Sequence, residues 1–250
     1  NINFLNGDFD ENINKLLDEV KNLAPTFFLI DPFGYSQIKL KTIKRIMEHK
    51  KSEILLNFMY NAIQRWVSYP RLEKHFNELF GCEHWRKYAD ERTNKKEQSL
   101  IDLFRFRCKE FSEFVYPFRL RFPDKNMPFY YLFHLCNHRK GCILMKDSFA
   151  KFNLGNLEYK GKAGGQLAFD LFIEEEKQDW EEYLFANFAG FTIPYGKLLD
   201  YIIDLVPSRE REIKKVLQCF EKERKIKIEV GGRKRKCGII ESDLVIFKPR

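Results

Sequence analysis

The sequence predicts an α/β protein in two parts, a parallel sheet covered by helices and then a basic winged helix. In the first part, short apolar runs alternate with helical patterns, as is typical of a parallel sheet that is covered on both faces. In the second part, three helical patterns precede a hairpin pattern with glycines at its tip, which is the outline of a winged helix. The length of 250 residues allows either one large domain or two.

The first domain is predicted to extend over residues 1–154. It begins with a short strand over Asn1–Phe9 and a helix that Pro25 ends, and it continues with a strand over Thr26–Ile30. An apolar run over Glu53–Phe58 gives the next strand, and the charged stretch Arg71–Glu113 is mostly helical. Further helical patterns occupy residues 38–49, 60–67 and 140–152.

Two later apolar runs, Phe114–Phe122 and Phe129–Asn137, are predicted to form an antiparallel pair. Only six residues join them, which is too short for a parallel crossover. Gly155–Gly165 is rich in glycine and lysine and lacks apolar periodicity, and a linker is predicted over residues 155–170. The second domain is then expected over residues 171–250.

The second domain is predicted to contain three helices, the third of them capped by Ser208 and ending near Arg224. A turn at Gly231-Gly232 is expected at the tip of the hairpin. The expected bounds are Asp179–Phe188 and Tyr195–Leu205 for the first two helices, and Lys225–Val230, Arg233–Ile240 and Leu244–Phe247 for the strands.

Positive charge is concentrated at the end of the chain. Leu205–Arg250 carries a net charge of +7, whereas the other 204 residues carry +1 of the total of +8. Such a segment attracts polyanions because it releases their condensed counterions. The predicted nucleic-acid-binding residues are basic side chains of the third helix and of the hairpin tip: Arg209, Arg211, Lys214, Lys215, Arg233, Lys234, Arg235 and Lys236. A basic tail without a specific partner, or a protein-binding winged helix, would carry the same charge.

The turn Asp31-Pro32-Phe33-Gly34 follows a predicted strand directly, where open α/β sheets bind ligands. Asp31 and the Pro32 carbonyl can accept hydrogen bonds from an amine, and a base can stack on Phe33. A plain strand-to-helix turn explains the same residues. Asp8 can likewise accept from a nucleotide or merely cap the helix that follows it.

Cysteine and histidine spacing does not predict a metal site. His134, Cys136 and His138 would share one face of a strand, but strand alternation explains this pattern without zinc, and no metal is expected. Six scattered cysteines without a Cys-x-x-Cys pair indicate reduced thiols in a cytoplasmic protein. The 25 phenylalanines favour a large aromatic core over a base-stacking surface. No apolar run reaches the ~18 residues of a membrane span, so a soluble protein without a membrane partner is expected.

Taken in order, several short motifs resemble the three-Cys-motif partner (TcmP) family. The resemblance covers roughly residues 1–153 and rests on these segments: Asn6–Phe9, Phe28–Gly34, Ile54–Phe58, Arg65, Tyr130–Phe133 and Asn137–Gly141. It implies a class I methyltransferase-like Rossmann sheet that ends in an antiparallel strand pair. The glycine-rich loop that cradles the methionine end of S-adenosylmethionine is expected upstream of Asn1.

The resemblance also implies roles for individual residues. By similarity with adenine-N6 methyltransferases, Asp31, Pro32 and Phe33 would hold a target amine. Asp8, with Phe9 beside it, would contact the adenine of S-adenosylmethionine. Phe33-Gly34 stands where those enzymes have a Pro-aromatic pair. The family name implies a separate partner protein that carries a three-cysteine motif and is of the iron–sulfur, radical type.

Three functions are compatible with these patterns. The first is a nucleic-acid-binding partner subunit on a methyltransferase-like scaffold, in which the winged helix docks on DNA and the partner protein performs the chemistry. The second is an S-adenosylmethionine-dependent adenine-N6 DNA methyltransferase. The third is a protein-interaction module with a basic face.

Overall fold

A computed structural model describes residues 4–20, 23–91, 93–121, 128–154, 168–170, 182–206, 208–231 and 238–249. The protein is of mixed α/β class, and its contacts divide it into two compact units. Unit 1 comprises Asn1–Cys142 and Gly155–Asp170, and unit 2 comprises Ile143–Leu154 and Leu171–Arg250. Among the described residues, no helix is both long enough and apolar enough to cross a membrane.

Unit 1 is built on a five-stranded mixed sheet. Its strands are β1 (Thr26–Ile30), β2 (Ser52–Phe58), β3 (Phe114–Arg121), β4 (Pro128–Cys136) and β5 (Ala168–Asp170). The order across the sheet is β1-β2-β4-β3-β5, in which β1 and β2 are parallel and every other pair of neighbours is antiparallel. The predicted antiparallel pairing of the two strands around the six-residue connector is therefore confirmed.

Helices connect and cover these strands. Those of unit 1 are α1 (Phe9–Glu19), α2 (Leu40–Glu48), α3 (Tyr60–Trp66), α4 (Glu73–Phe80), α5 (Arg86–Ala89) and α6 (Thr93–Lys109). Short 3-10 turns occupy Tyr35–Gln37 and Pro70–Leu72. A seventh helix, α7 (Arg139–Leu154), begins in unit 1 and continues in unit 2.

One face of the sheet forms the core of unit 1. In β2, alternate residues from Ser52 to Phe58 are buried, which is the period-two pattern of a strand with one face on the core. Phe58, Phe104 and Phe133 meet there with ring centroids 4.6–5.3 Å apart, and all three rings are fully buried. Packing of this kind agrees with the aromatic-core interpretation of the abundant phenylalanine.

Unit 2 combines a three-stranded antiparallel sheet with helices. Its further elements are α8 (182–188), β6 (Thr192–Pro194), α9 (Tyr195–Ile202), α10 (Glu210–Lys222), β7 (Ile226–Glu229) and β8 (Leu244–Phe247). The strand order is β6-β8-β7. The rings of Phe220 from α10 and Phe247 from β8 both lie within 6.4 Å of the Phe185 ring on α8, so these elements share one core.

A buried lysine ties α7 to the segment between α9 and α10. Lys146 is 1% exposed, and its Nζ donates to the carbonyl oxygens of Ile203, of Val206 at 2.5 Å and of Ser208 at 3.3 Å. Carbonyls at the end of a helix lack partners within the helix, and a cation is favoured there. Lys146 therefore supplies the donors that this end of α9 needs.

The start of the chain differs from its prediction. Residues 4–8 are irregular, and α1 begins at Phe9, so the predicted strand over Asn1–Phe9 is wrong in its described part. The cause is local, because Asp8 has an extended backbone and its side chain accepts from the N–H of Glu11, which starts a helix.

Two details of the second half also differ. The cap of α10 is Arg209 and not Ser208, since the N–H of Arg209 donates to the Glu212 side chain at 2.9 Å. The predicted strand Arg233–Ile240 is irregular over residues 238–240, and residues 233–237 lie outside the described residues. The described strand that pairs with β7 is β8, in antiparallel orientation.

The division of the chain is close to the predicted one but not identical. The first domain was expected to end at residue 154, whereas Ile143–Leu154 groups with unit 2. Residues 155–167 of the predicted linker lie outside the described residues, and Ala168–Asp170 form β5 against β3. The division into a first domain over residues 1–154 and a second over residues 171–250 stays a prediction.

Candidate functional sites

Two side chains meet at the carboxyl ends of the parallel strands of unit 1. The register pairs Ile30 of β1 with Leu56 of β2, so Asp31 and Asn57 are the next pair along these strands. Asn57 Nδ2 donates a hydrogen bond of 2.6 Å to Asp31 Oδ1. Because ligands bind beyond the carboxyl ends of strands in open α/β sheets, this pair occupies a position where a site is expected.

Tyr130 of β4 adds a phenol to this pair. Burial, together with the negative charge of Asp31, raises the pKa of the Tyr130 side chain, which is half-buried. Asn57 Oδ1 is buried and has no hydrogen-bond partner among the described residues. A buried acceptor costs free energy until a donor reaches it. The three residues, named here the Asp31 site, are therefore suited to a group that donates hydrogen bonds.

The other residues of the predicted turn are arranged differently. Pro32 is half-buried, and the N–H of Phe33 donates to Gln37 Oε1 at 3.2 Å, which fixes the turn. The Phe33 ring is 98% exposed and packs against nothing in the described part of the chain. The structure thus brings Asp31 together with Asn57 and Tyr130, and it leaves Phe33 in solvent.

The predicted cofactor contacts Asp8 and Phe9 lie at the start of α1. Asp8 is exposed, and its Oδ1 accepts from the N–H of Glu11 at 3.1 Å, so the carboxylate caps the helix. Phe9 is 39% exposed in the first helical position. Helix capping, which was the alternative to nucleotide binding, therefore engages one of the two carboxylate oxygens of Asp8.

The exposed face of α10 carries a row of basic and amide side chains, named here the α10 stripe. Its members are Arg211, Lys215, Gln218 and Lys222, which are all exposed. Their spacing of four, seven and eleven residues from Arg211 places them on one side of the helix. Within the described residues, none of the three cations forms an ion pair or a hydrogen bond.

Other charges of α10 neutralise one another. Lys214 Nζ lies 2.7 Å from Glu210 Oε1. Arg209 is 8% exposed, and its Nε donates to Glu212 Oε1 at 3.0 Å. Burial alone would raise the pKa of Glu212, but the hydrogen bonds from Arg209 outweigh it and hold that pKa below its usual value. Two cations of the helix are thus engaged inside the protein.

The predicted basic residues therefore fall into three groups. Arg211 and Lys215 are exposed on the α10 stripe, whereas Arg209 and Lys214 are held by glutamates. Arg233, Lys234, Arg235 and Lys236 lie outside the described residues. Lys222 was missed by the prediction, although its position eleven residues after Arg211 completes the helical period.

The histidine and cysteine motif of β4 has ordinary partners. His134 Nε2 lies 3.2 Å from Glu53 Oε2, and this hydrogen bond lowers the pKa of Glu53 although burial opposes it. The Cys136 thiol donates to the carbonyl of His138 at 3.4 Å, and burial raises its pKa. The described part of the chain holds no group of three or more side chains suited to a metal ion.

No protein-family model, no curated protein and no solved structure matches the chain. The α10 stripe, the Asp31 site and the motif resemblance of the sequence therefore carry the function proposed below.

Proposed function

We propose that this protein is a nucleic-acid-binding partner subunit on a methyltransferase-like scaffold, which works with a three-cysteine-motif protein. The observation that carries the proposal is the α10 stripe, whose three cations are exposed and form no ion pair with any described residue. Cations along one helix face attract the phosphate backbone of a duplex. The 13 residues of α10 span about 20 Å, a length suited to docking in a major groove.

The order of elements in unit 2 supports a winged helix. Along the chain the order is α8, β6, α9, α10, β7 and β8, and in the sheet β8 lies between β6 and β7. In helix-turn-helix proteins the second helix of the motif enters the major groove, and α10 follows α9 in that place. The sequence between β7 and β8 includes Arg233–Lys236, which would meet the adjacent backbone as a basic wing.

Unit 1 supports the scaffold part of the proposal. The resemblance implies a sheet in which parallel strands are followed by an antiparallel pair, and β1 and β2 are followed by β3 and β4 in that manner. The separate partner is proposed from the resemblance, because the six cysteines of this chain are scattered and form no three-cysteine motif.

Fluorescence anisotropy with labelled duplex DNA at several salt concentrations tests the proposal. Each phosphate contact adds about 0.9 to the slope of log affinity against log salt. The variant R211Q/K215Q/K222Q is therefore expected to reduce this slope by about 2.7. Glutamine has nearly the helix propensity of lysine and arginine, so α10 is expected to stay folded.

A charge-matched control separates the stripe from general positive charge. The control variant removes three exposed lysines of unit 1: K41Q/K44Q/K50Q. We expect it to bind like the wild type between roughly 50 and 200 mM salt. Equal slopes for the wild type and the stripe variant, or equal losses in both variants, would contradict the proposal.

Neutralising the predicted wing, Arg233–Lys236, is expected to lower the slope further, by about 0.9 for each contact that is lost.

The protein-interaction alternative makes a different prediction. Its acidic partner would remain bound in the presence of excess duplex DNA, whereas a nucleic-acid-binding face would release it.

A second candidate function is supported by the Asp31 site, namely S-adenosylmethionine-dependent methylation of an adenine amine. The hydrogen bond from Asn57 fixes the carboxylate of Asp31, whose other oxygen can accept from an exocyclic amine. S-adenosylmethionine would supply the methyl group when bound, with Asp8 and Phe9 as the proposed contacts to its adenine. Calorimetric titration of the full-length protein with S-adenosylmethionine tests this candidate, and no heat of binding would end it.

A further inference from the structure

A second exposed group of aromatic and basic side chains lies on unit 1, where α3 leads to α4. It consists of Arg65, Trp66, Tyr69 and Arg71 and is named here the Trp66 patch. Trp66 is 40% exposed and Tyr69 is 49% exposed, and their rings pack edge to face with centroids 5.8 Å apart. Both arginines are exposed and form no ion pair with any described residue.

The backbone under the patch is held in place. The N–H of Tyr69 donates to the carbonyl of Trp66 at 2.9 Å, and Ser68 Oγ donates to the carbonyl of Ala89 at 3.0 Å. Val67 is buried in the core between these exposed neighbours. A surface that is already ordered binds without the entropic cost of fixing a loop.

The patch is also free of negative charge in the sequence around it. No aspartate or glutamate occurs between Glu53 and Glu73. Glu73 itself lies 3.0 Å from the guanidinium of Arg86, which neutralises it. Two arginines and two aromatic rings thus lie within a seven-residue segment that contains no acidic side chain.

We infer that the Trp66 patch binds single-stranded nucleic acid, with unpaired bases on its aromatic rings and phosphates on its arginines. Stacking platforms combined with positive charge are how proteins hold unpaired strands without reading their sequence. Arginine suits this role because its planar guanidinium binds phosphate through two hydrogen bonds. The choice of nucleic acid as the ligand rests on the proposed function, whereas the place and the preference for unpaired bases come from the patch itself.

The test uses the full chain and a fluorescein-labelled oligothymidylate of about 20 nucleotides, which forms no duplex. Removing the rings in W66A/Y69A is expected to weaken binding by roughly 5- to 100-fold, the range for one stacked base. The control F106A removes a ring that is 66% exposed on α6, and we expect it to bind like the wild type.

A conservative variant separates stacking from a loss of structure. W66F keeps a ring for stacking, so we expect its affinity to stay within about threefold of the wild type. The quenching of tryptophan emission on adding the oligonucleotide should be smaller in W66F than in the wild type, because the exposed Trp66 is lost while the buried Trp85 and also Trp180 are present in both proteins. Circular dichroism must show that W66A/Y69A is folded.

The outcomes distinguish this inference from the proposed function. Unchanged oligothymidylate affinity in W66A/Y69A, or an equal loss in F106A, overturns the inference whatever the duplex result is. Loss of duplex binding in the α10 stripe variant, with oligothymidylate binding retained, supports two separate surfaces. If oligothymidylate does not bind the wild type, the patch is not a single-strand site.

Discussion

Replacing Lys146 is expected to destabilise unit 2 more than any exposed substitution on the same helix. Its ammonium donates to three carbonyl oxygens, those of Ile203, Val206 and Ser208, and it is almost completely buried. Methionine in its place fills a similar volume but donates no hydrogen bond. The perturbation is therefore the loss of three donors at the end of α9.

The size of the effect can be worked out from these contacts. Each buried carbonyl that loses its donor costs about 1–3 kcal/mol. The removed ammonium also no longer has to be desolvated, which offsets part of that cost. We therefore expect K146M to lower the free energy of unfolding of unit 2 by about 3 kcal/mol.

Urea unfolding followed by hydrogen exchange measures the stability of each unit separately, because peptides from each unit report on its own unfolding transition. The control is K151M, which replaces an exposed lysine of α7 and is expected to change the free energy of unfolding by no more than about 0.5 kcal/mol. Protection of peptides from α9 and α10 that is equal in K146M and K151M would refute the reasoning.

Two further predictions concern unit 1. G81A is expected to lower the free energy of unfolding, measured with urea, by about 1–2 kcal/mol, because Gly81 has φ 62° and a Cβ there would lie 2.6 Å from Leu40 Cδ2. The control G34A is expected to leave this free energy unchanged, because Gly34 has an extended backbone and open space around it. D10N is expected to lower the free energy of unfolding by about 1–2 kcal/mol at neutral pH. Burial alone would raise the pKa of Asp10, but the hydrogen bonds from Lys39 and Thr42 and the nearby lysine charges together lower that pKa below the ordinary value of 3.8. The contribution of Asp10 to stability is therefore complete above that value and is lost as the pH falls below it. Unfolding curves of D10N and the wild type should therefore converge in acid, and parallel curves would contradict the assignment.

Local patterns predicted most of the regular structure. The strand at Thr26–Ile30 is the predicted one, because an apolar run bounded by Pro25 and Asp31 has few alternatives. The pairing of β3 with β4 followed from the length of their connector alone. The third helix predicted for the second domain likewise corresponds to α10. In each case the decisive information lies within a few residues of the element.

The errors arose where a side chain has a partner that the local pattern does not reveal. Arg209 was expected on the surface, but Glu212 holds it at the start of α10. Asn57 had no predicted role, because its contact with Asp31 depends on the register of two strands that are 26 residues apart in sequence. Lys146 likewise had no predicted role, because its carbonyl partners lie nearly sixty residues away.

The same distinction changes how the basic charge of the chain should be counted. The count of 14 lysines and arginines over Leu205–Arg250 treats every one of them as available to a polyanion. The structure removes Arg209 and Lys214 from that count, because each already has a glutamate, and it adds Lys222 to the exposed row. Since only cations that release counterions from a phosphate contribute to the salt slope, the number of unpaired cations on one face determines binding. Net charge describes the attraction of a polyanion at a distance, and in the proposed function the α10 stripe would make the contacts to its phosphates.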